Sequence, residues 1–250
     1  MNNKDLTILT CNYNTPHQID NLLKSVKLTS AQLPKVVVMN TSNIEECELP
    51  LQLNSITYYN ARGFSHGEAV NLAFKKITTK YVLLVDSDVL FLKDFKPAFD
   101  KFKSSGLTLM GKVVGDCGGK QLYPRVEPWY CFIDLENLKR HKIEFFNIEK
   151  TKESKKSGGK IYDVGSTMFE EVTDKGLLVG DVDLENKYFK HYGGMSWRTQ
   201  KYNPSDVDTD IDFGGTHPHK VLYDIGMQVG NLYEQETRYL KDVDIKGVFS

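Results

Sequence analysis

The sequence predicts an α/β fold in which helices flank a mostly parallel sheet, followed by an irregular C-terminal region. Two observations predict it. Over the first hundred residues short apolar runs alternate with amphipathic stretches, as in βαβ units. Beyond about residue 106 this alternation is lost. The 250 residues are 40% hydrophobic and carry a net charge of −1, which excludes a disordered chain and provides no overall charge to attract nucleic acid or anionic membranes.

Four strands and two helices are expected in the regular half. The strands are predicted from apolar runs at residues 6–10, 36–39, 56–59 and 81–85. Each helix is predicted from a capping box, Thr15-Pro16-His17-Gln18 for the first and Ser65-His66-Gly67-Glu68 for the second. Apolar residues follow both boxes at helical spacing, so each helix should bury one face.

The second half gives weaker signals. Residues 107–113 and 131–134 resemble strands, with a glycine- and proline-containing loop between them. From Lys139 to Lys160 there are eight lysines or arginines against three glutamates, and this stretch is expected to be a mobile surface loop. Its charge suggests contact with phosphates as one hypothesis.

Several sequence features point to a soluble cytoplasmic protein. No apolar run approaches the roughly 20 residues of a membrane span, and the first five residues lead directly into a strand. The four cysteines, Cys11, Cys47, Cys117 and Cys131, lack C-x-x-C spacing, so we expect them to be reduced and not to bind zinc.

The most informative motif is Asp86-Ser87-Asp88, which follows the continuous apolar run Tyr81-Val82-Leu83-Leu84-Val85. Ligands bind at the carboxyl ends of strands in open α/β sheets. Two carboxylates at such a point can share a divalent cation and the phosphates it carries. Burying them without a cation, a basic partner or a raised pKa would be costly.

Further motifs precede this one in a characteristic order: Thr10-Cys11-Asn12-Tyr13-Asn14, then Asn40-Thr41-Ser42, then Arg62-Gly63-Phe64 leading into Gly67, Ala69 and Asn71. With Asp86-Ser87-Asp88, their order and spacing resemble the GT-A glycosyltransferases, most closely the inverting family 2 group. The resemblance is strong over residues 5–93, patchy over 107–198 and absent beyond Trp197.

The resemblance implies a donor site in the first half. It assigns Thr10, Asn12, Tyr13 and Asn40 to the nucleobase side. Arg62 is assigned to the diphosphate, Gly63 and Gly67 to close backbone approach, and Asn71 to the same donor side. Asp86 and Ser87 would contact the donor, Asp88 would ligate the metal directly, and Asp86 would reach the ribose or the metal.

In the second half the resemblance implies the base and the last metal ligand. Tyr162-Asp163, followed by Gly176, resembles the family's E-D motif and makes Asp163 the catalytic base. Glu127, between Pro124 and Pro128, is the competing carboxylate, and Asp181 and Asp183 are weaker rivals. His191 opens a segment that resembles the family's H-x-G-G-x-S-W ending and would be the third metal ligand.

These assignments predict a transferase that uses Mn²⁺ or Mg²⁺ to move a sugar from a nucleotide-diphosphate donor, a UDP-sugar, to an acceptor hydroxyl with inversion. The GT-A domain is expected over residues 1–198, with the donor half at about 1–106 and the acceptor half at 107–198. Residues 199–250 would pack on this domain or mediate homo-oligomerisation. The acceptor stays open between a glycan, a lipid-linked sugar and a modified nucleic acid.

Three other functions stay open from sequence. A nucleotidyltransferase would usually carry a glycine-rich phosphate loop, and residues 10–16 contain no glycine. In a haloacid-dehalogenase-type phosphohydrolase the D-x-D motif normally opens the chain, whereas about eighty residues precede it here. A catalytically degenerate sugar-nucleotide-binding module would keep the donor pocket alone. Trp129, Tyr130 and Trp197 are candidates for an aromatic platform under a sugar or base.

Overall fold

A seven-stranded sheet organises the part of the chain that this computed structural model describes, namely residues 5–13, 15–30, 34–42, 56–116 and 121–191. The strands are β1 (Leu6–Asn12), β2 (Lys35–Asn40), β3 (Ile56–Asn60), β4 (Tyr81–Val85), β5 (Val89–Phe91), β6 (Leu109–Gly111), β7 (Val113–Val114), β8 (Arg125–Val126), β9 (Tyr130–Asp134), β10 (Val179–Asp181) and β11 (Phe189–His191). The helices are α1 (Pro16–Thr29), α2 (His66–Lys76), α3 (Lys96–Ser105), α4 (Leu135–His141), α5 (Ile148–Ser157) and α6 (Ser166–Asp174).

The strand order in the main sheet is β10-β6-β9-β4-β1-β2-β3. The pairs β4–β1, β1–β2, β2–β3 and β10–β6 are parallel, whereas β9 runs antiparallel to both of its neighbours. The predicted α/β fold with a mostly parallel sheet is therefore confirmed. Two short antiparallel pairs, β5–β11 and β7–β8, lie outside this sheet.

The sheet separates two apolar cores, which explains the unbroken apolar sequence of β4. Leu83 and Val85 belong to the core that contains α1 and α3, and Val82 and Leu84 to the core that contains α2, α4 and α6. A strand covered on both faces has no solvent side on which a polar residue would be favoured. The first polar residues come directly after β4, so the acidic motif lies at the carboxyl end of this central strand.

The sequence located the strands and helices of the first half closely, with two corrections. Helix α1 begins at Pro16, but Thr15 makes no side-chain capping bond. The strand predicted at 107–113 is in fact β6 and β7, which belong to different sheets. The second capping box is present as predicted, because Ser65 and Glu68 bond reciprocally at the start of α2.

The basic stretch from Lys139 to Lys160 is not the predicted loop. It contains the end of α4 and the whole of α5, which Asn147 caps by accepting a hydrogen bond from the Lys150 amide and which ends at the left-handed Gly158. The buried residues of α5 are Thr151 and Ser154. Because these are polar, the helix lacks the apolar periodicity from which helices are predicted.

Residues 1–191 form one compact unit. The boundary predicted near residue 198 and the C-terminal extension lie outside the described residues. Within the described ranges, no helix is long and apolar enough to cross a bilayer. Cys11 and Cys131 are buried free thiols, and burial raises the pKa of Cys131 to about 12, so neither is suited to nucleophilic chemistry.

Helix α2 is fastened to the segment before α5 by two residues that the sequence assigned to the donor site. Asn71 accepts hydrogen bonds from the amides of Phe145 (2.9 Å) and Phe146 (3.3 Å) and donates to the Phe146 carbonyl (2.7 Å). Gly67 is buried beneath the Phe146 ring. A Cβ at position 67 would lie 2.7 Å from both Cβ and Cδ1 of Phe146. Glycine is therefore required here by packing.

We expect Gly67→Ala to lower the free energy of unfolding by about 1–3 kcal/mol, the usual cost of overpacking. Rotation of the Phe146 ring cannot relieve the clash because Phe146 Cβ is itself too close. Urea denaturation would measure the change. Gly115→Ala is the matched control, since nothing lies within 4 Å of a Cβ at that position. Equal stability of the two variants would contradict this account of Gly67.

Candidate functional site

Strand pairing brings a histidine from the end of the described chain to the acidic motif. Asp86 and Asp88 follow β4, and β5 begins at the next residue, Val89. Strand β11 pairs antiparallel with β5, and its register sets His191 opposite Val89. Phe189 anchors β11, because its ring is buried and stacks on Tyr130 with centroids 3.8 Å apart. The backbone therefore holds the imidazole beside the carboxylates.

The three side chains converge on one point. Nε2 of His191 lies 3.2 Å from Oδ1 of Asp88 and 3.9 Å from Oδ2 of Asp86. One ligand atom from each residue lies within 4.8 Å of the other two. Asp88 and His191 have side chains only 7% and 15% exposed, whereas Asp86 is 29% exposed. The cluster is thus largely withdrawn from solvent.

The electrostatics show that the cluster is short of positive charge. Burial raises the pKa of Asp86, and the charge of Asp88 raises it further, against the opposing effect of His66 and His191. Burial lowers the pKa of His191, but the hydrogen bond and charge of Asp88 outweigh this and raise it overall. The imidazole therefore tends to take up a proton and partly neutralise the two carboxylates.

This donor set fits a divalent cation. Two carboxylates and one imidazole match the ligand preferences of Mn²⁺, and the carboxylates alone suit Mg²⁺, which keeps several waters. A cation would also remove the repulsion that raises the pKa of Asp86. Asp86, Asp88 and His191 are thus the residues that could hold a metal, as the sequence predicted.

A buried hydrogen-bond network occupies the adjoining edge of the sheet. Asn12 and Asn40 end neighbouring strands, and Asn12 Nδ2 donates to Asn40 Oδ1 at 3.1 Å. The Thr15 hydroxyl connects this pair to the acidic motif by hydrogen bonds to Asn12 Oδ1 (3.2 Å) and Ser87 Oγ (2.9 Å). Three of the predicted donor residues, Asn12, Asn40 and Ser87, are therefore joined in one network. Thr15, which was predicted to cap α1, instead connects them.

The other predicted donor residues lie around this edge. Thr10 is buried in β1, and its hydroxyl has no hydrogen-bond partner among the described residues. Tyr13 is partly exposed just beyond β1, and Arg62 and Gly63 form the turn after β3, where Gly63 adopts a φ of +81°. Gly67 and Asn71 contact the Phe145–Phe146 segment, so both have a packing role in the structure.

The two predicted base residues have different surroundings. Asp163 precedes α6, accepts a hydrogen bond from the Val164 amide (2.8 Å) and lies 3.4 Å from Nη1 of Arg125. The Arg125 side chain is only 7% exposed. The Asp163 side chain is about half exposed, so the pair joins a buried guanidinium to a carboxylate that solvent can reach.

Glu127 has a perturbed carboxyl. Burial raises its pKa to about 7, and the charges of Glu185 and Asp183 also raise it, while those of Arg125 and His191 lower it. A carboxyl with a pKa near the working pH is suited to general acid–base chemistry.

Two neighbours of the predicted site were missed from sequence. His66 begins α2, and its charge acts on Asp86. Arg125 stands two residues before Glu127 and acts on both candidate bases. The alternation of side chains along an extended strand, which would put Arg125 and Glu127 on one face, could have suggested their proximity. Nothing local could have paired Arg125 with Asp163.

Comparisons with known proteins identify similar sequences and folds. The model of the family described as "Glycosyl transferase family 2" matches residues 7–168. Mouse beta-1,4 N-acetylgalactosaminyltransferase 2 is 35% identical over 91 residues, which is 34% of this chain and 16% of that protein. The chain therefore spans only a small part of this relative.

Two solved structures share the fold. Residues 1–349 of S. aureus TarS superpose with a TM-score of 0.50 and 17% identity, over 75% of this chain and 60% of that one. The galactosyltransferase LgtC, crystallised with donor and acceptor sugar analogues, gives a TM-score of 0.51 and 12% identity, over 90% and 95% of the two chains. At these identities the similarity is one of fold.

The raised pKa of Glu127 predicts a pH-dependent stability. Because the folded-state pKa lies above the ordinary 4.5, the folded protein binds more protons between about pH 4.5 and 7, and stability falls as pH rises through that window. Glu127→Gln removes this loss. We therefore expect the variant to gain stability relative to wild type from pH 5 to pH 8, measured by urea denaturation in EDTA. A difference that stays constant with pH would contradict the prediction.

Proposed function

The chain belongs to glycosyl transferase family 2, and on that premise we propose that it transfers a sugar from a UDP-sugar to an acceptor hydroxyl with inversion, aided by Mn²⁺ or Mg²⁺. The observation that carries the proposal is the convergence of Asp86, Asp88 and His191 within 4.8 Å at the carboxyl end of β4. Two carboxylates and an imidazole in a family 2 domain have the chemistry needed to hold a cation beside a diphosphate.

Asp88 and His191 are proposed to bind the cation directly, with Asp86 beside them. A bound cation supplies positive charge that stabilises the departing nucleoside diphosphate. The protein's own contribution is orientation: the β5–β11 pairing fixes the imidazole, and the Thr15–Ser87 hydrogen bond fixes the turn between the two aspartates.

The nucleotide is proposed to bind at the ends of β1 and β2. Asn12 and Asn40 shape this edge, and the buried Nδ2 of Asn40 has no hydrogen-bond partner within the described ranges. Tyr13 supplies a partly exposed ring for the base, and Arg62 a guanidinium for the diphosphate. The polar network thus acts mainly by holding the strand ends in position.

We propose that Glu127 removes the proton of the acceptor hydroxyl, with Asp163 as the alternative base. Glu127 is supported by its pKa near 7 and its electrostatic coupling to His191. Asp163 is supported by its resemblance to the family motif, but its carboxylate is already engaged with Arg125. Attack of the acceptor from the face opposite the departing diphosphate gives inversion. The match over residues 7–168 favours neither a nucleotidyltransferase nor a phosphohydrolase.

The metal role is tested by thermal unfolding with UDP, GDP, CDP and CMP, each with and without Mn²⁺. We expect UDP with Mn²⁺ to stabilise the wild type by about 2.7 kcal/mol at a hundredfold excess over Kd. Asp88→Asn should lose the Mn²⁺-dependent part of the shift. Asp100→Asn, which removes an exposed carboxylate on α3 that pairs with Lys96, should retain it. A full shift in Asp88→Asn would refute the metal site, and a shift with another nucleotide would refute the choice of donor.

The base is identified by comparing Glu127→Gln with Asp163→Asn. Because general-base catalysis typically contributes 10²–10⁴-fold, we expect Glu127→Gln to lower the rate of UDP release from UDP-sugars by that order. The nucleotide-dependent thermal shift should be unchanged. A loss of that size in Asp163→Asn alone would make Asp163 the base and reduce Glu127 to a structural role.

A further inference from the structure

A cleft lies beside the cluster of Asp86, Asp88 and His191, on the side of Trp129. The turn between β8 and β9 forms one wall and residues 182–189 form the other. The residues that bear on its chemistry are Lys112, Glu127, Trp129, Tyr130, Asp183 and Glu185. Trp129 connects the cleft to the cluster, because its ring stacks on His191 with centroids 4.8 Å apart and planes 20° apart. A molecule bound in this cleft would lie next to the proposed reaction centre, because Trp129 both lines the cleft and stacks on His191.

The cleft is rich in hydrogen-bond acceptors. Three carboxylates face one lysine, yet among the described residues only Asp86, Asp88 and His191 group closely enough to hold a metal. Glu127, Asp183 and Glu185 all line the cleft. Carboxylates can each accept hydrogen bonds from the hydroxyls of a ligand.

Two aromatic residues add the complementary chemistry. Tyr130 is 2% exposed, and its hydroxyl has no hydrogen-bond partner in the part of the chain described. Burial raises its pKa, so the hydroxyl stays protonated and can donate to a ligand oxygen. Trp129 offers a partly exposed indole, an apolar surface on which the C–H face of a sugar ring can pack.

We propose that this cleft is the acceptor subsite and that it selects an uncharged, hydroxyl-rich sugar ring over a phosphorylated one. The inference rests on the proposed glycosyltransferase function and specifies its substrate class. Hydroxyls of the sugar donate to Asp183 and Glu185, its ring packs on Trp129, and the hydroxyl to be glycosylated faces Glu127.

The charge of the cleft accounts for the selectivity. Asp183 and Glu185 outnumber Lys112, and Glu127, with its pKa of about 7, adds negative charge in those molecules in which it is ionised. A phosphate monoester brings about −1.5 to −2 at pH 7 and would meet these carboxylates at close range. A neutral ring meets no such repulsion and satisfies the acceptors. This cleft therefore disfavours the phosphate-bearing acceptors that the basic stretch from Lys139 to Lys160 suggested.

The test is saturation-transfer NMR on the full chain with Mg²⁺ and UDP. The probes are the methyl glycosides of galactose, glucose, mannose and N-acetylglucosamine, together with galactose 6-phosphate and glucose 6-phosphate. We expect at least one neutral glycoside to bind the wild type and neither phosphate to do so. Asp183→Asn/Glu185→Gln should weaken glycoside binding by roughly tenfold or more, since each hydrogen bond to a charged group is lost. Tyr130→Phe should weaken it by a smaller factor.

The matched control is Glu153→Gln/Asp174→Asn, which removes the same charge from exposed positions on α5 and α6 and should bind like wild type. Equal glycoside binding by the cleft variant and the control, binding of either phosphate, or no binding of any neutral glycoside would each overturn the proposal. The Mn²⁺-dependent increase in thermal stability with UDP should persist in the cleft variant. Its absence from the wild type would instead refute the proposed function.

Discussion

The pairing of β5 with β11 is the interaction on which the whole site depends. Asp86 and Asp88 are brought together by a local turn, but His191 comes from the far end of the described chain. Backbone register sets His191 opposite Val89, and the Phe189–Tyr130 stack anchors it there. Without this pairing two carboxylates would lie at a buried strand end without the imidazole that bonds to Asp88, a costly arrangement. Charge compensation within the cluster is therefore a consequence of strand pairing.

Most of the polar residues around the cluster hold the backbone in place. Asn12, Asn40, Thr15 and Ser87 are buried and bond chiefly to one another or to nearby amides. These bonds specify one geometry for the strand ends and leave only Nδ2 of Asn40, within this group of four, without a partner among the described residues. Tyr13, Arg62 and Asp86 are partly exposed around these strand ends.

The sequence predicted those parts of the structure that depend on local pattern. Strand β4, the Ser65 capping box and the acidic motif are all encoded within a few residues, and each was found where expected. Helix α5 was missed because its buried residues, Thr151 and Ser154, are polar. The packing of Gly67 against Phe146 could not be predicted, because a glycine needed for packing looks the same in sequence as one needed beside a ligand. The Arg125–Asp163 pair joins a strand to a distant loop and has no local signal.

Arg125 acts on both candidate base residues, Asp163 and Glu127. A buried guanidinium requires a counter-charge, and Asp163 provides it at 3.4 Å. Glu127, two residues along the chain, feels the same guanidinium but also the opposing charges of Glu185 and Asp183, and burial outweighs the rest. Asp163 is consequently paired with a buried guanidinium, while Glu127 lines a cleft with its pKa near 7. A group that must take up a proton from an acceptor, and release it again, gains more from the second environment than from the first.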